Sequence, residues 1–269
     1  MKTRQNRLKG RYNTERRSIP LRALMPNAIT TLALCSGLTA IRYAVSGEWE
    51  NAVYAILISA VLDTLDGRIA RLLKGATRFG AELDSLSDVI AFGVAPAILL
   101  YLWTLQSWPR WGWLFALSHA VCCALRLARF NVNIDYLDQP HKSAGFLTGV
   151  PAPAGANLSI MPLYAWFLSG FDIFRSPLLV GLWVSFSAFL MIADFPTFGW
   201  SVLRVRPKLR LGLLVMVAIG AGAFISAPWA VLAAFSLAYT ASLPFGILSY
   251  SKVNQSLCMS EDFVPPVLP

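Results

Sequence analysis

The chain is 269 residues long, 56% hydrophobic and only 14% charged, with a mean hydropathy of +0.57. A water-soluble globular domain carries about a quarter charged residues, so the composition excludes one and points to a protein of the bilayer. The formal net charge of +9 sits beside apolar blocks, which argues for a membrane surface and against nucleic acid as the partner.

Eight basic residues (Lys2, Arg4, Arg7, Lys9, Arg11, Arg16, Arg17 and Arg22) precede the first apolar block. Residues 1–17 read as a disordered basic N-terminus. Residues 18–26 read as a short amphipathic helix on the membrane surface, with Pro26 as a break before the first span. The first apolar stretch is too long for a cleaved signal peptide and no convincing cleavage site follows it. Apolar blocks at about 27–45, 50–73, 82–104, 109–129, 150–169, 177–197, 209–226 and 228–248 then predict about eight transmembrane helices. The expected fold is all-α, a polytopic membrane helix bundle occupying residues 18–250. Residues 251–269 read as a disordered tail.

Placing the N-terminus in the cytoplasm leaves only Arg42, Arg110 and Arg175 of the 23 Lys and Arg residues toward the outside, in accord with the positive-inside bias. Both termini are then cytoplasmic. Cys35, Cys122, Cys123 and Cys258 have no metal-ligand spacing, and no disulfide is expected. His119 and His141 are not spaced as a metal pair and read as packing or solvated residues.

One region breaks the apolar pattern. Asp63 and Asp66 are three apart on the second span, and Asp84 and Asp88 four apart on the third, so each pair shares a helix face. The hairpin between them carries Arg71, Lys74, Arg78, Gly75 and Gly80. Four carboxylates at the membrane boundary need countercharge. Oxygen-only ligands without His or Cys suit a hard divalent cation, and a pair of such ions would grip a diphosphate. An ion network with Arg68, Arg71 or Arg78 is the other reading. Gly67, Ala70 and Gly80 fit either close ligand approach or tight helix packing. A cation transporter is a remote reading, because it calls for charges on several separated helices.

The string Asp63-x2-Asp66-Gly67-x2-Ala70-Arg71-x8-Gly80-x3-Asp84-x3-Asp88 resembles the signature of the CDP-alcohol phosphatidyltransferases at every fixed position. The resemblance implies transfer of a phosphatidyl group from CDP-diacylglycerol to an alcohol, with release of CMP. It implies two divalent cations, Mg²⁺ or Mn²⁺, held by Asp63, Asp66, Asp84 and Asp88, with Asp88 also the general base. Gly67, Ala70 and Gly80 would line the cytidine pocket, Arg71 would contact phosphate, and Asn27 and Thr31 would add nucleotide contacts. A homodimer is implied as well.

Three further strings, DSLSDVIAFGVAPA, ALRLARFNV and FLTGVPAPAGAN, are similar to the serine-using membrane branch of that family. L-serine is therefore the expected acceptor, with glycerol 3-phosphate, inositol phosphate and choline as alternatives. A serine carboxylate needs a cationic partner. Arg126, Arg129, Asn131 and Lys142 are the candidates, the arginines having topology anchoring or lipid binding as their other reading.

Overall fold

The computed structural model describes residues 21–73, 75, 77–134, 146–193, 196–198 and 210–243, and these are overwhelmingly helical. Helix α1 runs Leu21–Val45 and α2 Trp49–Leu72. Helix α3 spans Arg78–Trp103 and α4 Pro109–Ile134. Then follow α5 (Ala152–Ser159), α6 (Met161–Ser169), α7 (Pro177–Ile192), α8 (Arg210–Ser226) and α9 (Pro228–Leu243). Helices thus stand at all eight expected places, the fifth divided in two. Among the described residues, three are long and apolar enough to cross a bilayer by length and composition: Leu24–Val45, Arg78–Trp103 and Pro109–Val132. The protein is an integral membrane helix bundle.

Pro26 does not break the chain. It lies inside α1, near enough to the helix start that the missing N–H leaves only one early carbonyl without its intrahelical donor. Residues 21–26 therefore continue the first span and do not form a separate surface helix. Residues 1–20, 142 and 251–269 lie outside the described residues, and with them Lys142 and both expected tails.

Small residues set the packing of α1. Ala33, Gly37, Ala40 and Ala44 recur every three or four positions and are all buried. This stripe lets α2 and α3 approach closely. Ser36 donates to the carbonyl of Ala55 at 2.8 Å, and Ser59 to that of Ala33 at 2.8 Å. A Cβ added at Gly37 would stand 2.9 Å from Ala91 of α3.

Two prolines interrupt helices, and each freed carbonyl finds a side-chain donor. Pro96 lacks the N–H that would bond Phe92. Around it, α3 widens into a π-helical stretch, Val89–Val94, and the Phe92 carbonyl accepts from Nε2 of buried His119 at 3.2 Å. Pro162 likewise cannot bond Leu158. The span breaks at Ile160, and the Leu158 carbonyl accepts from Trp183 Nε1 at 2.8 Å.

The end of the bundle holding the 46–48, 104–108 and 170–176 turns is pinned by Arg175. Its backbone carbonyl accepts from Thr104 Oγ1 at 2.6 Å, its guanidinium donates to Trp103 at 3.3 Å, and it stacks over Trp166. Gly170 closes α6 in the left-handed conformation, φ 68°. At the opposite end a two-stranded antiparallel ribbon joins β1 (Phe146–Thr148) to β2 (Pro196–Phe198). The ribbon was not expected from sequence. Its strands are three residues long and paired across fifty positions, too short for a periodic signal, and they leave the all-α class intact.

Candidate active site

Asp63 and Asp66 lie on the last turns of α2, and Asp84 and Asp88 on the first turns of α3. The start of α3 is set by Thr77, whose hydroxyl accepts from the Gly80 N–H at 3.0 Å. This N-cap puts Gly80, Asp84 and Asp88 on one face at intervals of four. Up-and-down packing of α2 and α3 then turns the two aspartate faces toward each other.

One carboxylate oxygen from each of Asp63, Asp66 and Asp84 lies within 4.8 Å of the others. Asp63 also touches Asp88 side chain to side chain. Asp66 is almost fully buried and accepts from Thr30 Oγ1 at 2.6 Å. Oδ1 of Asp84 is buried with no hydrogen-bond partner. Among the described residues, Arg68, Arg71 and Arg78 make no ion pair with these carboxylates, and Arg71 bends back to donate from Nε to Gly67 at 3.0 Å. The arginine network weighed from sequence is therefore not what balances them. Three converging carboxylates, one with an unused buried oxygen, are the donor set of a hard divalent cation, and the cluster is fit to hold one.

The neighbouring residues divide by side of the helix. Asn27 faces Gly80, where a Cβ would stand 2.6 Å from Asn27 Oδ1. Gly67 opens onto free space, and Arg71 lies exposed one turn along. Ala70 is half-buried between them. Thr31 is exposed and donates to its own helix at Asn27, 2.7 Å. Thr30 is the threonine that reaches the aspartates. The signal for it was present: Asn27, Thr30, Ala33 and Gly37 share the small-residue stripe.

Of the residues expected to meet the acceptor, Arg126 lies within electrostatic reach of Asp88, with its Nε buried and unpartnered. Arg129 donates to the Ile192 carbonyl at 2.9 Å, capping the end of α7. Asn131 donates to Ser85 Oγ at 2.9 Å, tying the end of α4 beside Asp84. A concavity of about 590 Å³ lies at the far end, lined by Glu48, Trp49, Trp166 and Phe167 among others, and takes no part in this arrangement.

The family model for CDP-alcohol phosphatidyltransferases matches residues 23–200, and a second model, CDP-alcohol phosphatidyltransferase 2, matches residues 208–244. The chain belongs to the CDP-alcohol phosphatidyltransferase family. Its similarity to proteins named CDP-diacylglycerol–serine O-phosphatidyltransferase is extensive. It is 38% identical to the Mycobacterium tuberculosis protein of that name over 234 residues, covering 87% of this chain and 81% of the relative. The Mycobacterium leprae protein is 39% identical over 233 residues, covering 86% and 77%. The Methanocaldococcus jannaschii protein is 41% identical over 133 residues, covering 49% and 56%. This last match is confined to about half of each chain, whereas the mycobacterial relatives extend over most of this phosphatidyltransferase.

Proposed function

We propose that this protein transfers the phosphatidyl group of CDP-diacylglycerol to L-serine, forming phosphatidylserine and CMP. The observation that carries the reading is the convergence of Asp63, Asp66 and Asp84 within 4.8 Å, with Asp88 against Asp63, in a chain of this family. The names borne by the mycobacterial relatives support serine as the acceptor.

In this reading Asp63, Asp66, Asp84 and Asp88 hold two divalent cations, Mg²⁺ or Mn²⁺. When bound, these neutralise the diphosphate and stabilise the departing CMP. Asp88 accepts the proton of the serine hydroxyl as its oxygen forms the new bond to phosphorus, and the bond to the CMP oxygen breaks in line. Thr30 holds the Asp66 carboxylate in position. Asn27, Gly67, Ala70 and Gly80 border the cytidine, with Arg71 at its phosphates, while Thr31 sits on the outward side. Arg126 attracts the serine carboxylate, and Asn131 braces α4 against α3. Residues of about 20–200 form the catalytic core. We place the site at the cytoplasmic face of the inner membrane, because the basic residues collect at that end. The homodimer rests on the family resemblance.

The test is purified protein supplied with CDP-diacylglycerol and Mg²⁺ or Mn²⁺, with serine, glycerol 3-phosphate, inositol phosphate or choline in separate reactions. Phosphatidylserine and CMP should appear with serine alone and disappear when the metal is chelated. Asp88→Asn should lower kcat by about 10²–10⁴-fold, the usual worth of a general base. Product from another alcohol would sink the serine assignment, and no CMP from any alcohol would sink the reaction.

A further inference from the structure

Helix α9 carries no charge and read from sequence as a plain apolar span, yet its position is closely fixed. At its start Trp229 packs against Phe167, Tyr54 and Tyr164, with ring centroids 4.5, 5.2 and 6.4 Å away. Two turns later buried Ser236 accepts from Asn157 Nδ2 at 2.8 Å, and Asn157 Oδ1 accepts from Tyr164 at 3.1 Å. The two anchorages set the rotation of the helix as well as its depth.

Tyr239 follows Ser236 by three residues, on the same face and nearer the carboxylate end. Its hydroxyl oxygen is buried without a hydrogen-bond partner, and so is Nε of Arg126. Tyr239 and Arg126 lie within electrostatic reach of each other, and Arg126 also within reach of Asp88. Buried polar atoms are almost always paired. Here a guanidinium N–H and a phenolic O–H from helices more than a hundred residues apart are both buried without partners and lie within electrostatic reach of each other, the guanidinium also within reach of the proposed base. A planar anion that accepts from both fits that chemistry, and a carboxylate is the anion an amino-acid acceptor brings.

We infer that Tyr239 and Arg126 together bind the carboxylate of the acceptor amino acid, so that α9 helps select the acceptor. The inference rests on the serine-transfer reading. Serine's carboxylate accepts from Tyr239 Oη–H and from Arg126, leaving its hydroxyl directed at Asp88.

The experiment compares full-length wild type with Tyr239→Phe in nanodiscs, using L-serine and serinol, which has hydroxyl and amine but no carboxylate. Loss of one hydrogen bond to a charged group should raise the serine KM about tenfold. The CDP-diacylglycerol KM, kcat and all serinol kinetics should stay within about twofold, so preference for serine over serinol falls by the same tenfold. An unchanged serine KM, or equal losses on both acceptors, would show Tyr239 to be packing only and overturn the inference. Should that variant not fold, Tyr239→His, whose ring nitrogen falls short of the hydroxyl's position, replaces it with the same expected and overturning results. A wild type that makes its phosphatidyl product from a different alcohol removes the serine reading and this inference together. A wild type that uses serine while Tyr239→Phe leaves its KM unmoved removes the inference alone.

Discussion

Thr30 and Thr31 are adjacent in sequence and point to different sides of α1. Thr30 donates to Asp66 from a buried position, whereas Thr31 is exposed and bonded to its own backbone. Thr30→Val keeps the shape and leaves a buried carboxylate oxygen without its donor, an expense of about 1–3 kcal/mol. Its kcat/KM should therefore drop by about tenfold or more, with Thr31→Val within about twofold of wild type, as read by CMP release. Equal effects of the two changes would contradict the geometry. The aspartates were legible in the sequence because spacing along a helix is local information. The structure puts Asn27 against Gly80. The choice between two threonines needed the phase of α1, which only the buried stripe of Ala33, Gly37, Ala40 and Ala44 supplies.

Elements were legible where their cause is local and illegible where a distant partner decides. Apolar length placed the helices, but it did not show that α3 would pass Pro96 through a π-helical stretch or that α5 and α6 would part at Ile160. In both cases a proline withdraws a donor, and a side chain from another helix replaces it. His119 serves Phe92 and Trp183 serves Leu158. A buried carbonyl left unpaired costs about 1–3 kcal/mol, so His119→Leu should lower stability by about that amount, seen as faster heat inactivation in detergent. The KM values for both substrates of the surviving enzyme should be unchanged, because the ring braces the helix and faces no substrate. A selective rise in either KM would give His119 a role beyond bracing.

The bundle as a whole has two unlike ends. One carries the aspartates and the β1–β2 ribbon; the other carries the turns pinned by Arg175, flanked by Trp49, Trp103, Trp108 and Trp166. Aromatic residues belong at membrane interfaces, and helices of the length of α1, α3 and α4 span the roughly 30 Å hydrocarbon core between two such surfaces. Helix α8 exposes apolar side chains along its whole length, from Leu211 to Ile225, an arrangement suited to lipid and to nothing aqueous. The span-by-span alternation of ends therefore makes a prediction about sidedness. In a cysteine-free background, Glu82→Cys sits beside the aspartates and Gln106→Cys at the opposite turn, both at exposed positions. A membrane-impermeant maleimide applied to sealed inside-out vesicles should label Glu82→Cys and spare Gln106→Cys, with the reverse in right-side-out cells. Labelling of both from one side would break the bundle topology. Labelling of each from the side opposite to that expected would keep the bundle but turn it over, moving the proposed active site to the outer face, away from cytoplasmic serine.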